Sequence, residues 1–378
     1  MSILKSETIR RFLLVAGSLV FAYSLIEFPA LINVIDYRAI WAGGIWGSLR
    51  FPQTADPELI NRWPPHAHYR GSASGGMAET FYRVPPSERT LFRWDLQFDR
   101  MGFRNEADLS SADTIVIGDS VVEGDSVSNN EVVTSVLQGL DGGKTVANLS
   151  RLGYGPQQEM IVLQRYGLPL RPHTVVWVFS EATDLADFMR YRPTSTQPPN
   201  YWHSFLERSF LRLTYHQVRG LFNAAKPSGV EYSGEIQVPG GRVTRVYFEK
   251  PAHHLTSEEF RALDGIARIL AEARRLSAAQ GARFLLVLAP DKYRVYHDLC
   301  QYPPESKCSR WVLSDLPERL FSAVASISPG IGYVDLTGAL VTAARGGLLP
   351  YYSDDVHWSP EGHRVAAEAI NAYLASQP

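Results

Sequence analysis

Two cysteines in 378 residues leave nothing from which to build a disulfide scaffold. A zinc site has no pair of cysteine ligands facing a second pair, and His253-His254 and His66-x-His68 stand isolated, so neither a metal nor a cofactor is expected. An excess of one charge is missing too. Lys and Arg number 37 against 39 Asp and Glu, a formal charge of -2, which offers no basic field to a nucleic acid; that partner class is set aside. There is no internal repeat and no low-complexity tract. What remains is ordinary globular composition, 45% hydrophobic and 20% charged, enough for one large domain or two modest ones.

The first 35 residues differ from the rest. Phe12 to Ile35 is long enough to cross a hydrocarbon layer of about 30 Å at about 1.5 Å per residue, if Glu27 and Pro29 are accepted in its distal third. Lys5, Arg10 and Arg11 precede it and hold that end inside, which puts everything after residue 35 outside the inner membrane, in the periplasm or beyond the cell. A cleaved signal peptide with its apolar core at Phe12 to Ile26 is the alternative, although SLIEFPALIN shows no small-x-small cleavage site; an ordinary buried helix is the third reading. Glu27 reads either as a contact with a membrane partner or as a carboxylate hydrated at the interface. Cys300 and Cys308 flank a loop with two prolines that can bring them within disulfide range, the plain alternative being two free thiols.

From 36 to 108 the chain is rich in Pro, Gly, Arg and aromatics without a sustained period, and reads as an irregular extracytoplasmic segment packed on a main domain at 109–378. There the pattern changes. Thr114 to Ile117, Thr145 to Leu149, Thr174 to Phe179, Arg283 to Leu288 and Ile331 to Leu336 are short apolar runs of the kind that form strands buried on both faces. Helical stretches separate them: Asn130 to Leu140, Gly155 to Tyr166, the capping box of Thr256 and Glu259 running to Gly281, and a terminal helix opened by Ser359 and Pro360. The alternation predicts an α/β fold with a parallel central sheet and helices on both faces, with ligands bound beyond the carboxyl ends of the strands. An insertion at about 190–250 interrupts it, as a lid or as a stabilising element.

Two stretches suggest chemistry. In TIVIGDSVVEG, Ser120 follows a buried strand and opens a helix, which puts its hydroxyl at the carboxyl edge of the sheet; Ser126, in the second Gly-Asp-Ser, has no strand leading to it. In YYSDDVHWSPEGH, Asp354 lies three residues before His357, close enough to orient an imidazole that deprotonates Ser120; Asp355 is the fallback, and His363 reads as a packing residue. Either stretch alone is an ordinary turn or an acidic loop.

Together with NLSRLGYGPQQ at 148–158 and FSEATDL at 179–185, these stretches resemble the GDSL or SGNH hydrolase superfamily over about residues 95–375. The resemblance implies a three-layer α/β/α, flavodoxin-like fold and acyl transfer through Ser120, His357 and Asp354. It also implies an oxyanion hole from the N–H groups of Ser120 and Gly153, with Gly155 and Gln158 at the same rim. The family's third donor, an Asn, is replaced by Thr183, and loss of one donor costs about 10² to 10³ in rate. LVLAPDKYRVYHDL at 286–299 is similar to a segment of membrane-associated members that O-acetylate polysaccharides, and it adds Lys292 and Tyr293 to Asp119 as candidates for substrate contact. The implied function is an esterase or an O-acyltransferase acting on an O-acylated carbohydrate, the latter with a membrane-bound O-acyltransferase as partner. The competing class is a carbohydrate-binding or assembly protein that keeps the fold without the chemistry.

Overall fold

The computed structural model describes residues 2–32, 34–35, 37, 54–125, 127–193, 201–222, 226–238 and 240–377. Ser126 and most of 36–53, with Trp41 and Trp46, lie outside the described residues, as do Pro198 and Pro199. The chain divides into two compact units, residues 1–52 with 196–225, and residues 53–195 with 226–378.

The smaller unit begins with α1 (Ser2–Leu31), whose Ile9–Leu31 stretch is long and apolar enough to cross a membrane. Pro29 is accommodated in its last turn.

In the larger unit, β1 (Thr54–Asp56) pairs antiparallel with β2 (Ile60–Arg62), and β3 (His68–Ser74) with β4 (Leu91–Gln97) across the short α2 (Ala78–Phe81). The described part of 36–108, expected from its composition to be irregular, thus contains two antiparallel strand pairs joined by turns and loops. Of the seven residues of β3 only Ala73 is buried, so the strand is held by its ladder to β4 and carries no apolar period.

The central sheet follows: β5 (Thr114–Ile117), α3 (Ser120–Glu123), α4 (Val133–Leu140), β6 (Val146–Asn148), α5 (Pro156–Val162), β7 (Thr174–Ser180) and α6 (Asp184–Arg190). The chain then enters α7 (Tyr201–Arg208) and α8 (Phe210–Phe222) of the smaller unit and returns as the hairpin β8 (Ser233–Val238) and β9 (Arg242–Tyr247). It closes with α9 (Ser257–Ala279), β10 (Arg283–Ala289), α10 (Lys292–Tyr296), α11 (Leu316–Ile327), β11 (Gly332–Asp335), α12 (Thr337–Arg345) and α13 (Pro360–Ser376).

Five parallel strands in the order β11-β10-β7-β5-β6 make the middle layer of a three-layer α/β/α fold. Side-chain alternation explains the two outer layers. Ile115, Ile117, Val175, Trp177, Phe179, Phe284, Leu286 and Leu288 enter one core, against Leu263, Ile266 and Leu270 of α9 and Leu320 of α11. Val116, Val176, Val178, Leu285 and Val287 enter the other, against Val133, Leu137, Leu340, Val365 and Ile370. Both faces being apolar, these strands show continuous hydrophobic runs in sequence. From β5 the chain goes to β6 on one side and then to β7 on the other, so the strand order reverses between β5 and β7. A crevice at the carboxyl ends of such a pair is where open α/β sheets bind ligands.

Candidate active site

Ser120 stands at that reversal. β5 ends at Ile117, Gly118 lets the chain turn between Val122 and the Val178 carbonyl, and Asp119 caps α3 by accepting the Val121 N–H at 2.9 Å. Ser120 is thus the first helical residue, 5% exposed.

The loop between α12 and α13 carries the partner. A bridge between Tyr351 and Trp358 closes it, Ser359 caps α13, and the imidazole of His357 lies with Nε2 3.0 Å from Ser120 Oγ. Asp355, not Asp354, orients that ring. Asp355 Oδ1 accepts from His357 Nδ1 at 2.5 Å and from the His357 N–H at 3.0 Å, while its Oδ2 accepts from the Met77 N–H at 2.8 Å. Asp354 faces the other way: it accepts the N–H groups of Gly76 and Thr90, each at 3.0 Å, and the Thr90 hydroxyl. The assignment from spacing is corrected for a simple reason. In this tight loop neighbouring side chains diverge, and Asp354 is claimed by a segment more than 260 residues earlier in the chain. That segment approaches closely because residue 76 is glycine; a Cβ there would lie 2.4 Å from the Asp354 carbonyl oxygen and 2.7 Å from Asp355 Cβ. Nothing local in the sequence marks Gly76, Met77 or Thr90 as part of the site.

Burial alone would lower the His357 pKa, but the adjacent Asp355 carboxylate, with Asp125 and Asp119 behind it, outweighs burial and pushes it up to about 9. Burial would raise the Asp355 carboxyl, and the His357 charge and the N–H donors hold it below the ordinary carboxylate value. His363 is buried, takes the Val133 N–H on Nδ1 at 3.2 Å, and is driven down to about 3 by burial and by Arg104 and His357, so it is a neutral packing residue.

Gly153 takes φ +77 with no heavy atom within 4 Å of a would-be Cβ, so conformation rather than space requires the glycine. The two residues before it are pinned: the Arg151 N–H donates to the Gly118 carbonyl at 3.2 Å, and the Leu152 N–H donates to buried Glu123, which also takes the Trp63 indole N–H. The Gly155 N–H is committed to Gln158 Oε1 at 3.2 Å, and Gln158 Nε2 to the Leu59 carbonyl, so neither serves as an oxyanion donor. The Thr183 hydroxyl is committed as well, donating to Asp119 Oδ2 at 2.5 Å. Both oxygens of Asp119 are thus taken up within the Ser120 turn and by Thr183. Glu159 and Asp184 are also fully buried; burial first, then the Asp119 charge on Glu159 and the Glu159 charge on Asp184, raises both well above the ordinary range.

Lys292 and Tyr293 are also displaced from the role the sequence suggests. Both are buried, because α10 begins directly at the end of β10 and turns them inward. Lys292 Nζ donates to the carbonyls of Ser353 at 3.1 Å and Asp355 at 3.0 Å and lies 3.6 Å from Glu249, which makes it a strut under the His357 loop. The Tyr293 hydroxyl donates to the Cys308 carbonyl at 2.8 Å. Cys300 and Cys308 are free thiols, pushed up to about 12 by burial. Beyond β7 a cleft of about 540 Å³ opens, lined by Ala182, Arg190, Lys250 and His253, with Lys250 Nζ donating to the Ala182 carbonyl at 2.6 Å.

A family described as an SGNH hydrolase-like domain of the acetyltransferase AlgX matches residues 248–378. Over that stretch the chain is similar to the SGNH hydrolase superfamily. The matched stretch contains Asp355 and His357; Ser120 precedes it. A curated relative, a probable alginate O-acetylase AlgJ of Pseudomonas fluorescens, is 26% identical over 161 residues, 42% of this chain, and the chain spans only 36% of that relative's length. Among solved structures, a GDSL-like lipase of Bacteroides thetaiotaomicron shares 14% identity with TM-score 0.34, over 70% of this chain and 88% of its own. A variant of an acetyl-xylooligosaccharide esterase of Geobacillus shares 14% with TM-score 0.37, over 71% and 96%.

Proposed function

We propose that the chain is a membrane-anchored serine acyl-enzyme working on O-acyl esters of carbohydrate outside the inner membrane. The observation that carries this reading is the Asp355–His357–Ser120 contact series, 2.5 Å and then 3.0 Å, at the carboxyl edge of the sheet. Ser120 Oγ attacks the acyl carbonyl while His357 Nε2 takes its proton, and Asp355 holds the Nδ1–H and the charge that forms. The N–H groups of Ser120 and Gly153 receive the oxyanion. The imidazolium returns its proton to the leaving oxygen of the acyl donor, and the acyl group rests on Ser120. A second hydroxyl, deprotonated by His357, then attacks and releases it.

The similarity to an acetyltransferase family and to a probable O-acetylase favours a sugar hydroxyl as that second nucleophile. The protein is then an O-acyltransferase fed by a membrane-bound O-acyltransferase; with water in its place the same site is an esterase. The apolar N-terminal helix supports the anchored location. Labelling with a fluorophosphonate tests the chemistry: the full chain reacts at Ser120, and Ser120→Ala and His357→Ala do not. A wild-type chain that neither labels nor releases acetate from acetylated glycans or aryl acetates refutes it.

A further inference from the structure

We propose that α7 and α8 lie in the headgroup region of the outer leaflet, with Trp202, Leu206, Leu211, Tyr215 and Val218 turned into lipid. This rests on α1 being a membrane span. The two helices meet at Ser209, and that junction is fastened to α1: the Glu27 carboxylate accepts from Ser209 Oγ at 3.1 Å and from the Leu211 N–H at 2.7 Å. Ala30, Tyr37 and Phe205 close the contact with Phe210 and Leu213, and the Tyr37 hydroxyl donates to the Ile26 carbonyl at 2.6 Å. One side of the helix pair is thus occupied by the end of α1. Glu27, expected to be hydrated or to meet a membrane partner, instead meets donors from its own chain.

The other side is apolar as well. Trp202 and Leu206 are four apart on α7, and Leu211, Tyr215 and Val218 follow the same periodicity on α8; each is between 44% and 70% exposed. A helix pair facing water would carry polar residues there. The α1 residues around the junction, Leu25, Phe28 and Leu31, are also apolar and exposed, so the stripe continues a surface that already belongs to lipid. Depth follows from helix geometry. Ile9–Leu31 has 23 residues, about 34 Å against a hydrocarbon layer of about 30 Å, and Glu27 is four residues, about 6 Å, before its end. The junction therefore falls where hydrocarbon gives way to headgroups, the depth Trp and Tyr prefer. Arg208 and Arg212, half-buried at the same turn, carry the charge that lipid phosphates attract.

The test uses the full chain with Cys300→Ala and Cys308→Ala, one copy per lipid nanodisc, carrying a fluorophore on Leu211→Cys or, as a reference, on Leu19→Cys in the middle of α1. Circular dichroism checks that each variant retains its thermal transition. The label at 211 is expected to be quenched several-fold more by a shallow nitroxide lipid than by a deep one, and little by iodide; the label at 19 is expected to favour the deep nitroxide. Iodide quenching at 211 with lipid quenching kept at 19 overturns the placement and leaves the span standing. Iodide quenching at both overturns the span and the placement together. A 211 label shielded from lipid and iodide alike overturns it in favour of a protein surface.

Discussion

At the residue scale the adjacent aspartates are the sharpest test of the site. Asp355→Asn removes the group that fixes the His357 tautomer, and kcat for an aryl acetate is expected to fall by about 10⁴. Asp354→Asn disturbs only the bonds to Gly76 and Thr90, so the thermal transition should drop, by about 1–3 kcal/mol in stability, with kcat largely kept. The reverse pattern would restore Asp354 as the orienting group. The pH profile carries a second prediction. His357 is a base only when neutral, and its pKa is raised to about 9, so kcat/KM should climb with unit slope as pH rises and level off near 9. Because Asp355 is the main group raising it, the Asp355→Asn profile should level off at lower pH. A wild-type plateau already reached at pH 7 would contradict the proposed electrostatics.

Among elements, α10 supports the loop that holds the imidazole. Lys292→Met removes both donors to the Ser353 and Asp355 carbonyls and leaves Glu249 buried without its cation. Misplacing the imidazole by about 1 Å costs about 10² in kcat, with KM little changed. Kinetics showing a rise in KM alone would mean that Lys292 contacts substrate after all. Element boundaries show what the sequence made legible. β7 and β10 emerge from their continuous apolar runs within a residue because both of their faces are buried, and α9 because Thr256 and Glu259 form its capping box. β3 does not, since six of its seven residues remain at least partly open to solvent and its partner strand lies beyond a helix. The same division holds in the site. Ser120 and His357 follow from their positions beside a strand end and a helix start, whereas Lys292, Thr183 and the choice between two aspartates depend on contacts across the fold that no local spacing encodes.

For the whole molecule, the apolar Ile9–Leu31 helix predicts that the chain stays with membranes through an alkaline carbonate wash, as measured by immunoblot of pellet and supernatant. Release into the supernatant would favour a cleaved leader. A domain boundary drawn at residue 109, where the strand-helix alternation sets in, looks natural on sequence grounds. Yet Met77 donates to the carboxylate that steers the imidazole, and Gly76 and Thr90 grip its neighbour. A fragment begun at 109 would keep every strand of the central sheet and lose the clasp on the His357 loop, so the shortest fragment that keeps the proposed site intact should start upstream of Gly76.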